Sequence, residues 1–259
     1  MVGSVLKGGL GNMMFQIAAA EAVSYRINVE AVFRPHTEGI VHRQVDAYTD
    51  NIFRNVKFDQ HPLYLNTYYE PSFSYSDLPA HDHFLYDGYF QSEKYFSDCK
   101  DYIRNIFSPT ESFIAESVDR YPNISDSCGI HVRRGDYLKF PDIHPVMSSD
   151  YFKRGVNSIK SLDNKCNTVY VFTDDKEWCK TNLDISNINF VENENDWEDL
   201  WMMSMCKNYV ISNSSFSWWS AFLGSTDGSI TVAPNSWFGP RGPQETQDLY
   251  CKDWIRIKN

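Results

Sequence analysis

Long apolar runs are missing: no stretch of the 259 residues reaches the ~18 consecutive apolar positions that a membrane-crossing helix requires. No secretory leader is recognisable either, because the sequence enters Val2-Gly3-Ser4-Val5-Leu6, a first core strand, at once. The expectation is a soluble, cytoplasmic chain. Basic charge is also short, with 24 Lys and Arg against 34 Asp and Glu, a net charge of −10. That balance excludes nucleic acid as a partner and argues against an anionic membrane surface. An anionic ligand must then meet a local cluster of arginines. Paired cysteines are absent too. Cys99, Cys128, Cys166, Cys179, Cys206 and Cys251 form no C-x-x-C and have no zinc-ligand spacing, so reduced, buried thiols are expected. No tandem repeat or low-complexity tract is present.

Strand-like and helix-like segments alternate, which points to an α/β chain. Strand 2–6, helix 13–25 and strand 29–33 open it. Residues 35–82 carry Tyr, His, Pro and Asp with little period and read as loops and short helices shaping a binding mouth. A strand at 84–90 and a helix at 92–106 follow. Pro109 and Tyr121-Pro122-Asn123 mark a boundary, placed so that 1–122 and 123–259 are the two domains. The second half reads as strands 128–133, 168–173, 188–191, 208–212 and 229–233, separated by helices 149–161, 175–182, 196–206 and 215–223. The ligand position in such a unit is the carboxyl edge of its sheet. Trp197, Leu200, Trp201 and Met205 share one helical face and are read as core.

Four segments carry candidate chemistry. Gly8-Gly9-Leu10-Gly11-Asn12, between a strand and a helix, fits an anion cradle and fits a tight turn equally. Met14 stands where a dinucleotide fingerprint needs its third glycine, and no Gly-Lys-Ser/Thr is present, so neither fingerprint is satisfied. Asn12 is a helix cap or a ligand donor. In Ile130-His131-Val132-Arg133-Arg134-Gly135-Asp136-Tyr137, the strand period of two sends His131 and Arg133 to one face and Gly135 breaks the strand. Arginine there suits phosphate, since its planar fork donates two hydrogen bonds; the alternative is a surface pair of Arg134 with Asp136. Thr168 to Asp175 is a strand ending in Asp174 and Asp175, which fit a ribose or guanine contact, a divalent metal, or a cap on the next helix. Ser214, Ser215 and Phe216, at another helix start, form either a second anion site or an ordinary cap.

Together these segments resemble the α-1,2-fucosyltransferases of glycosyltransferase family 11. Residues 8–16, Gly-Gly-Leu-Gly-Asn-Met-Met-Phe-Gln, look like that family's GGLGNQMFQ with Met13 in place of Gln, and 131–137 match its HVRRGDY. Residues 88–96, 211–219 and 233–238 are also similar to family segments, in order along nearly the whole chain. The resemblance implies a GT-B type α/β fold, two Rossmann-like domains facing across a cleft. The acceptor falls to residues 1–122 and the nucleotide sugar to 123–259. It further implies GDP-β-L-fucose as donor, inversion to an α-fucoside on a galactoside, and no metal or other cofactor.

On that basis Arg133 is expected to be catalytic, holding the β-phosphate with Ser214, Ser215 and the Phe216 amide. His131 and Asp174 are expected at the guanosine, and Arg134, Gly9, Gly11 and Asn12 at the phosphates or the fucose. Asp136 is the nominal base, with orientation of Arg134 as its alternative role. The partners are a nucleotide sugar and a glycan acceptor. Rival readings are a fucosyltransferase of another linkage or acceptor, protein O-fucosylation included; a dinucleotide oxidoreductase using Gly9, Gly11 and Glu30; and a non-catalytic glycan-binding protein.

Overall fold

The computed structural model describes residues 1–36, 43–164 and 166–259. The part of the irregular 35–82 segment that covers residues 37–42 lies outside the described residues. Two compact units divide the chain: Met1–Ser108 with Glu245–Cys251, and Pro109–Gln244 with Lys252–Asn259. The division thus falls at Ser108 and Pro109 rather than at 122 and 123, and a late segment rejoins the first unit. The physical reason for the earlier division is Phe113, whose ring lies 5.2 Å from that of Trp201 and 5.9 Å from that of Trp197. Those contacts tie residues 111–120 to the second unit's core.

The first unit contains β1 (Val2–Ser4), α1 (Leu10–Ile27), β2 (Asn66–Tyr69), β3 (Phe84–Asp87) and α2 (Lys100–Phe107). Its parallel sheet runs β1-β3-β2. The expected strand 29–33 is reduced to isolated parallel bridges, Val2 with Ala31 and Phe33 with Phe58. The expected helix 92–106 is a short 3-10 turn, Glu93–Phe96, followed by α2. Small residues let α1 pack deeply: Ala18, Ala19, Ala20 and Ala22 are fully buried. The helix stops at Asn28, whose left-handed φ of 53° lets its amide reach the Ser24 carbonyl.

Buried within α1 is Glu21, hydrogen-bonded by the Tyr102 hydroxyl of α2 at 2.8 Å. Burial raises its pKa to about 7, the Tyr102 bond pulling the other way. An unfolded Glu ionises near pH 4.5, so between pH 4.5 and about 7 the folded chain binds the extra proton. Stability from this group therefore falls as pH rises through that window and stays low above it. Glu21→Gln should flatten this dependence. In urea unfolding at pH 8 the variant should regain on the order of 3 kcal/mol relative to its effect at pH 4.5. A pH-independent difference between the two proteins would contradict this origin.

The second unit contains α3 (Glu111–Arg120), β4 (Cys128–Val132), α4 (Ser149–Leu162), β5 (Val169–Thr173), α5 (Lys176–Asn182), β6 (Ile188–Phe190), α6 (Asp196–Ser204), β7 (Asn208–Val210), α7 (Ser215–Gly224), β8 (Thr231–Pro234) and β9 (Ile255–Ile257). All six strands are parallel, in the order β6-β5-β4-β7-β8-β9. Counted in chain order within the unit this is 3-2-1-4-5-6, the order of a doubly wound nucleotide-binding sheet. β4 is buried along its whole length, as a central parallel strand covered on both faces must be. On one face Ile130 and Val132 meet Tyr151, Phe152 and Val156 of α4 in a shared apolar core. Leu200, Trp201 and Met203 of α6 and Trp218, Trp219 and Phe222 of α7 are buried as well. Among the described residues no helix is long and apolar enough to cross a membrane.

Candidate active site

The order of the second sheet fixes where a ligand fits. From β4 the chain winds outward to β5 and β6, then crosses back to β7 on the other side. The switch point is therefore between β4 and β7, and the crevice lies at their carboxyl ends. Three loops deliver the site: residues 133–137 after β4, 174 and 175 after β5, and 211–216 after β7.

Arg133 stands at the first exit. Its Nη2 donates to Asp136 Oδ1 at 2.6 Å, its Nη1 pairs with Asp174 Oδ2 at 3.0 Å, and its guanidinium carbon lies 5.5 Å from the Tyr137 ring centroid. A guanidinium has five N–H donors, so two carboxylates orient it and leave donors for a ligand. The register of Val132 with Thr173 is what places Asp174 beside Arg133. Gly135 permits the same approach, since a Cβ there would lie 2.7 Å from Asp174 Oδ2. Asp174 Oδ1 meanwhile accepts from the Arg134 amide at 2.9 Å.

Arg134 is held differently. Its Nε donates to Asp175 Oδ2 at 3.0 Å, and its guanidinium lies 4.0 Å from the Trp178 ring centroid. The pairing of Arg134 with Asp136 weighed from the sequence gives way to Arg133–Asp136 and Arg134–Asp175. Of the two adjacent aspartates, Asp175 caps α5 by accepting from the Trp178 amide at 3.1 Å. The Arg134 hydrogen bond, and after it the bond from the Trp178 amide, hold its carboxyl below the usual range.

His131 is buried in β4, with Nδ1 2.9 Å from Ser212 Oγ and its ring stacked on Phe216 at 5.0 Å. Burial, reinforced by the charge of Arg133, pushes its pKa down to about 3. The ring is therefore a neutral hydrogen-bonding group throughout the neutral range. Phe216 thus brings its ring to the site as well as its amide.

Ser214 occupies the N-cap position of α7, yet its side chain makes no capping hydrogen bond, so the ordinary capping role does not apply. Tyr137, unassigned from the sequence, donates to the Asn213 carbonyl at 3.0 Å and stacks on His144 at 4.6 Å. Asn213 is buried; its Nδ2 donates to the Trp237 carbonyl at 2.9 Å, while its Oδ1 has no hydrogen-bond partner. Ser212 and Tyr137 are the residues that sequence reasoning passed over, although both lie inside the quoted motifs. Their signal is the neighbouring loop each must hold, which a single strand's periodicity does not reveal.

The glycine loop, Gly9, Gly11 and Asn12, belongs to the first unit. Gly8 supplies the left-handed turn, at φ +81°, and Gly9 is the N-cap of α1 with open space where a Cβ would be. The helix begins at Leu10, so Gly11 and Asn12 lie in its first turn rather than before it. Asn12 is accordingly no cap; its Oδ1 accepts from Gln91 Nε2 at 2.8 Å. Gln16, also of the first motif, accepts from the Lys7 amide at 2.9 Å and donates to the Lys7 carbonyl at 3.1 Å. Gln16 and Gln91 thus hold the two ends of this loop in place.

The family model for glycosyl transferase family 11 matches residues 4–258. The chain belongs to that family. Relatives include an α-1,2-colitosyltransferase of Escherichia coli, 29% identical over 98% of this chain and 97% of the relative. Another is the O-antigen biosynthesis glycosyltransferase WbnK of Escherichia coli, 24% identical over 98% of this chain and 99% of its own length. A third is a galactoside 2-α-L-fucosyltransferase of Caenorhabditis elegans, 24% identical over 96% of this chain and 74% of its own length. Among solved structures, the NodZ α-1,6-fucosyltransferase co-crystallised with GDP covers 86% of this chain and 91% of its own, with a TM-score of 0.51 and 11% identity. That likeness concerns the fold, and agrees with the GT-B type expected from the sequence. For this family 11 member, the HVRRGDY segment is the loop that lands at the switch point of the nucleotide-type sheet.

Proposed function

We propose that the protein is an inverting, metal-independent fucosyltransferase that moves L-fucose from GDP-β-L-fucose to the 2-hydroxyl of a galactoside, forming an α-1,2 linkage. The observation that carries this reading is Arg133, fixed by Asp136 and Asp174 at the sheet's switch point in a family 11 chain. The donor is assigned to the second unit and the acceptor to the first.

In the reaction the acceptor oxygen bonds to fucose C1 while the C1–O bond to the β-phosphate breaks. GDP leaves with the electron pair, and the proton of the acceptor hydroxyl passes to the departing diphosphate or to water. Charge grows on the leaving diphosphate, and preorganised donors are the effective response to it. Arg133 supplies the cation, with the amides of Ser215 and Phe216 at the start of α7 and the Ser214 hydroxyl beside it. His131, neutral and anchored to Ser212, suits a guanosine hydrogen bond, with Asp174 as a second contact. We assign Asp136 to orienting Arg133 rather than to taking the acceptor proton, because its carboxylate is already bound to that guanidinium. Arg134 serves from behind, holding the Asp175 end of the loop.

Metal independence is supported by where the two acidic side chains stand. Asp174 and Asp175 are each paired with an arginine, so neither presents uncompensated charge to a cation.

A second reading of the donor rests on the relative named an α-1,2-colitosyltransferase. Colitose is L-fucose without its 3-hydroxyl, so both donors share the GDP half and differ at one sugar position. A site that hydrogen-bonds that hydroxyl rejects the deoxy sugar by orders of magnitude. Incubation with lactose and each donor, with NMR of the product, tests the assignment. Fucosyl-α-1,2-galactose formed with at least a tenfold preference for GDP-fucose is the expected result. A preference for GDP-colitose would reassign the donor, and another linkage would reassign the acceptor hydroxyl.

A further inference from the structure

The first unit has a switch point of its own. Strand-like segments lie side by side in the order Phe58, Phe33, β1, β3, β2. The chain leaves β1 toward Ala31 and Phe58 on one side, then returns to β2 and β3 on the other. The crevice is therefore at the carboxyl ends of β1 and β3.

Lys7 stands just beyond β1 and Asp87 at the end of β3, with Lys7 Nζ donating to Asp87 Oδ1 at 2.6 Å. Both side chains keep about a quarter of their surface in solvent, at 28% and 26%. Lys7 Nζ lies 5.1 Å from the centroid of the Tyr89 ring. Tyr69 of β2 is opposite Asp87 in the register, on the same face, and 68% exposed. The supports are rigid: Gln16 clamps the Lys7 backbone on both sides, and Glu70 accepts from the amides of Tyr89 and Phe90 at 2.6 and 3.0 Å. The second unit's phosphate chemistry uses none of these groups.

A carboxylate that accepts, an ammonium that donates and two accessible tyrosine rings are what a pyranose needs, with hydroxyls around its rim and C–H groups on its faces. We propose that this crevice is the acceptor subsite, where Asp87 and Lys7 hydrogen-bond ring hydroxyls of a hexopyranoside and Tyr69 and Tyr89 cover its C–H faces. The inference rests on the transferase reading above and names the residues that choose the acceptor.

The test uses the full chain with Asp87→Ala and, separately, Tyr69→Ala, whose exposed ring is dispensable for folding. With GDP-fucose saturating, each variant should raise the KM for lactose roughly tenfold or more, about the loss of one good polar or stacking contact. The Kd for GDP-fucose and the slow GDP release without acceptor should match the wild type. A role confined to joining β1 and β3 would leave the acceptor KM of Tyr69→Ala unchanged, and that result overturns the proposal. Should the wild type not bind GDP-fucose at all, the donor reading fails by itself. Direct NMR titration with lactose then decides the subsite: binding weakened in Tyr69→Ala supports it, and equal binding refutes it.

Discussion

Arg133→Ala is expected to lower the rate of fucose transfer by roughly 10²-fold or more, a loss of ~3 kcal/mol in transition-state stabilisation if it resembles the removal of an oxyanion donor. The fold should survive. The Arg133 side chain is 26% exposed, and the carboxylates it leaves behind, Asp136 at 39% and Asp174 at 26%, can be hydrated. Arg133→Lys should fall between the two proteins. An ammonium keeps the charge but cannot bridge Asp136 and Asp174 while also forking onto a phosphate. Steady-state rates beside thermal melting curves check this. A folded Arg133→Ala protein with near-normal turnover would remove the guanidinium from the mechanism.

Gly135→Ala should cost a comparable factor without touching a charged group. The added Cβ would come 2.7 Å from Asp174 Oδ2, the oxygen paired with Arg133 Nη1. Asp174 cannot simply swing aside, because its other oxygen accepts from the Arg134 amide. Displacing the carboxylate tilts Arg133, and a shift of about 1 Å in a positioning group can cost ~10²-fold. The mechanism has its own signature in a double-mutant cycle with Asp174→Ala. Once the carboxylate is gone the methyl meets no obstacle, so the double variant should be no slower than Asp174→Ala alone. Additive losses would show that Gly135 acts through something else.

These two predictions also mark what the sequence makes legible. β4, β5 and α7 are readable because their apolar runs are long and end in polar clusters, and those ends are where the site is found. β2 is not readable: Asn-Thr-Tyr-Tyr is an almost fully exposed edge strand, without the alternation that burial on one face imposes. α3 has only Ser117 buried among its residues, so no apolar stripe announces it. The return of residues 245–251 to the first unit leaves no local trace either, since it depends on long-range bonds such as Ser92 Oγ to the Asp248 carbonyl.

Within the site, period two assigns His131 and Arg133 to one face of β4. Which aspartate each arginine takes is set by the β4–β5 register and by Gly135, neither of which one strand's pattern contains. Asn12 shows the opposite limit. As a residue type it fits a helix cap, but a helix starting at Leu10 places it inside the first turn, where Gln91, seventy-nine positions away, becomes its partner.

The second unit is proposed to bind GDP-fucose and to release GDP when a sugar hydroxyl takes the fucose. The most direct measurement is GDP release from GDP-fucose in the presence of EDTA, with and without lactose. Release stimulated by lactose and undiminished by EDTA is the predicted result. A folded protein that neither binds GDP-fucose nor releases GDP from it would contradict the account.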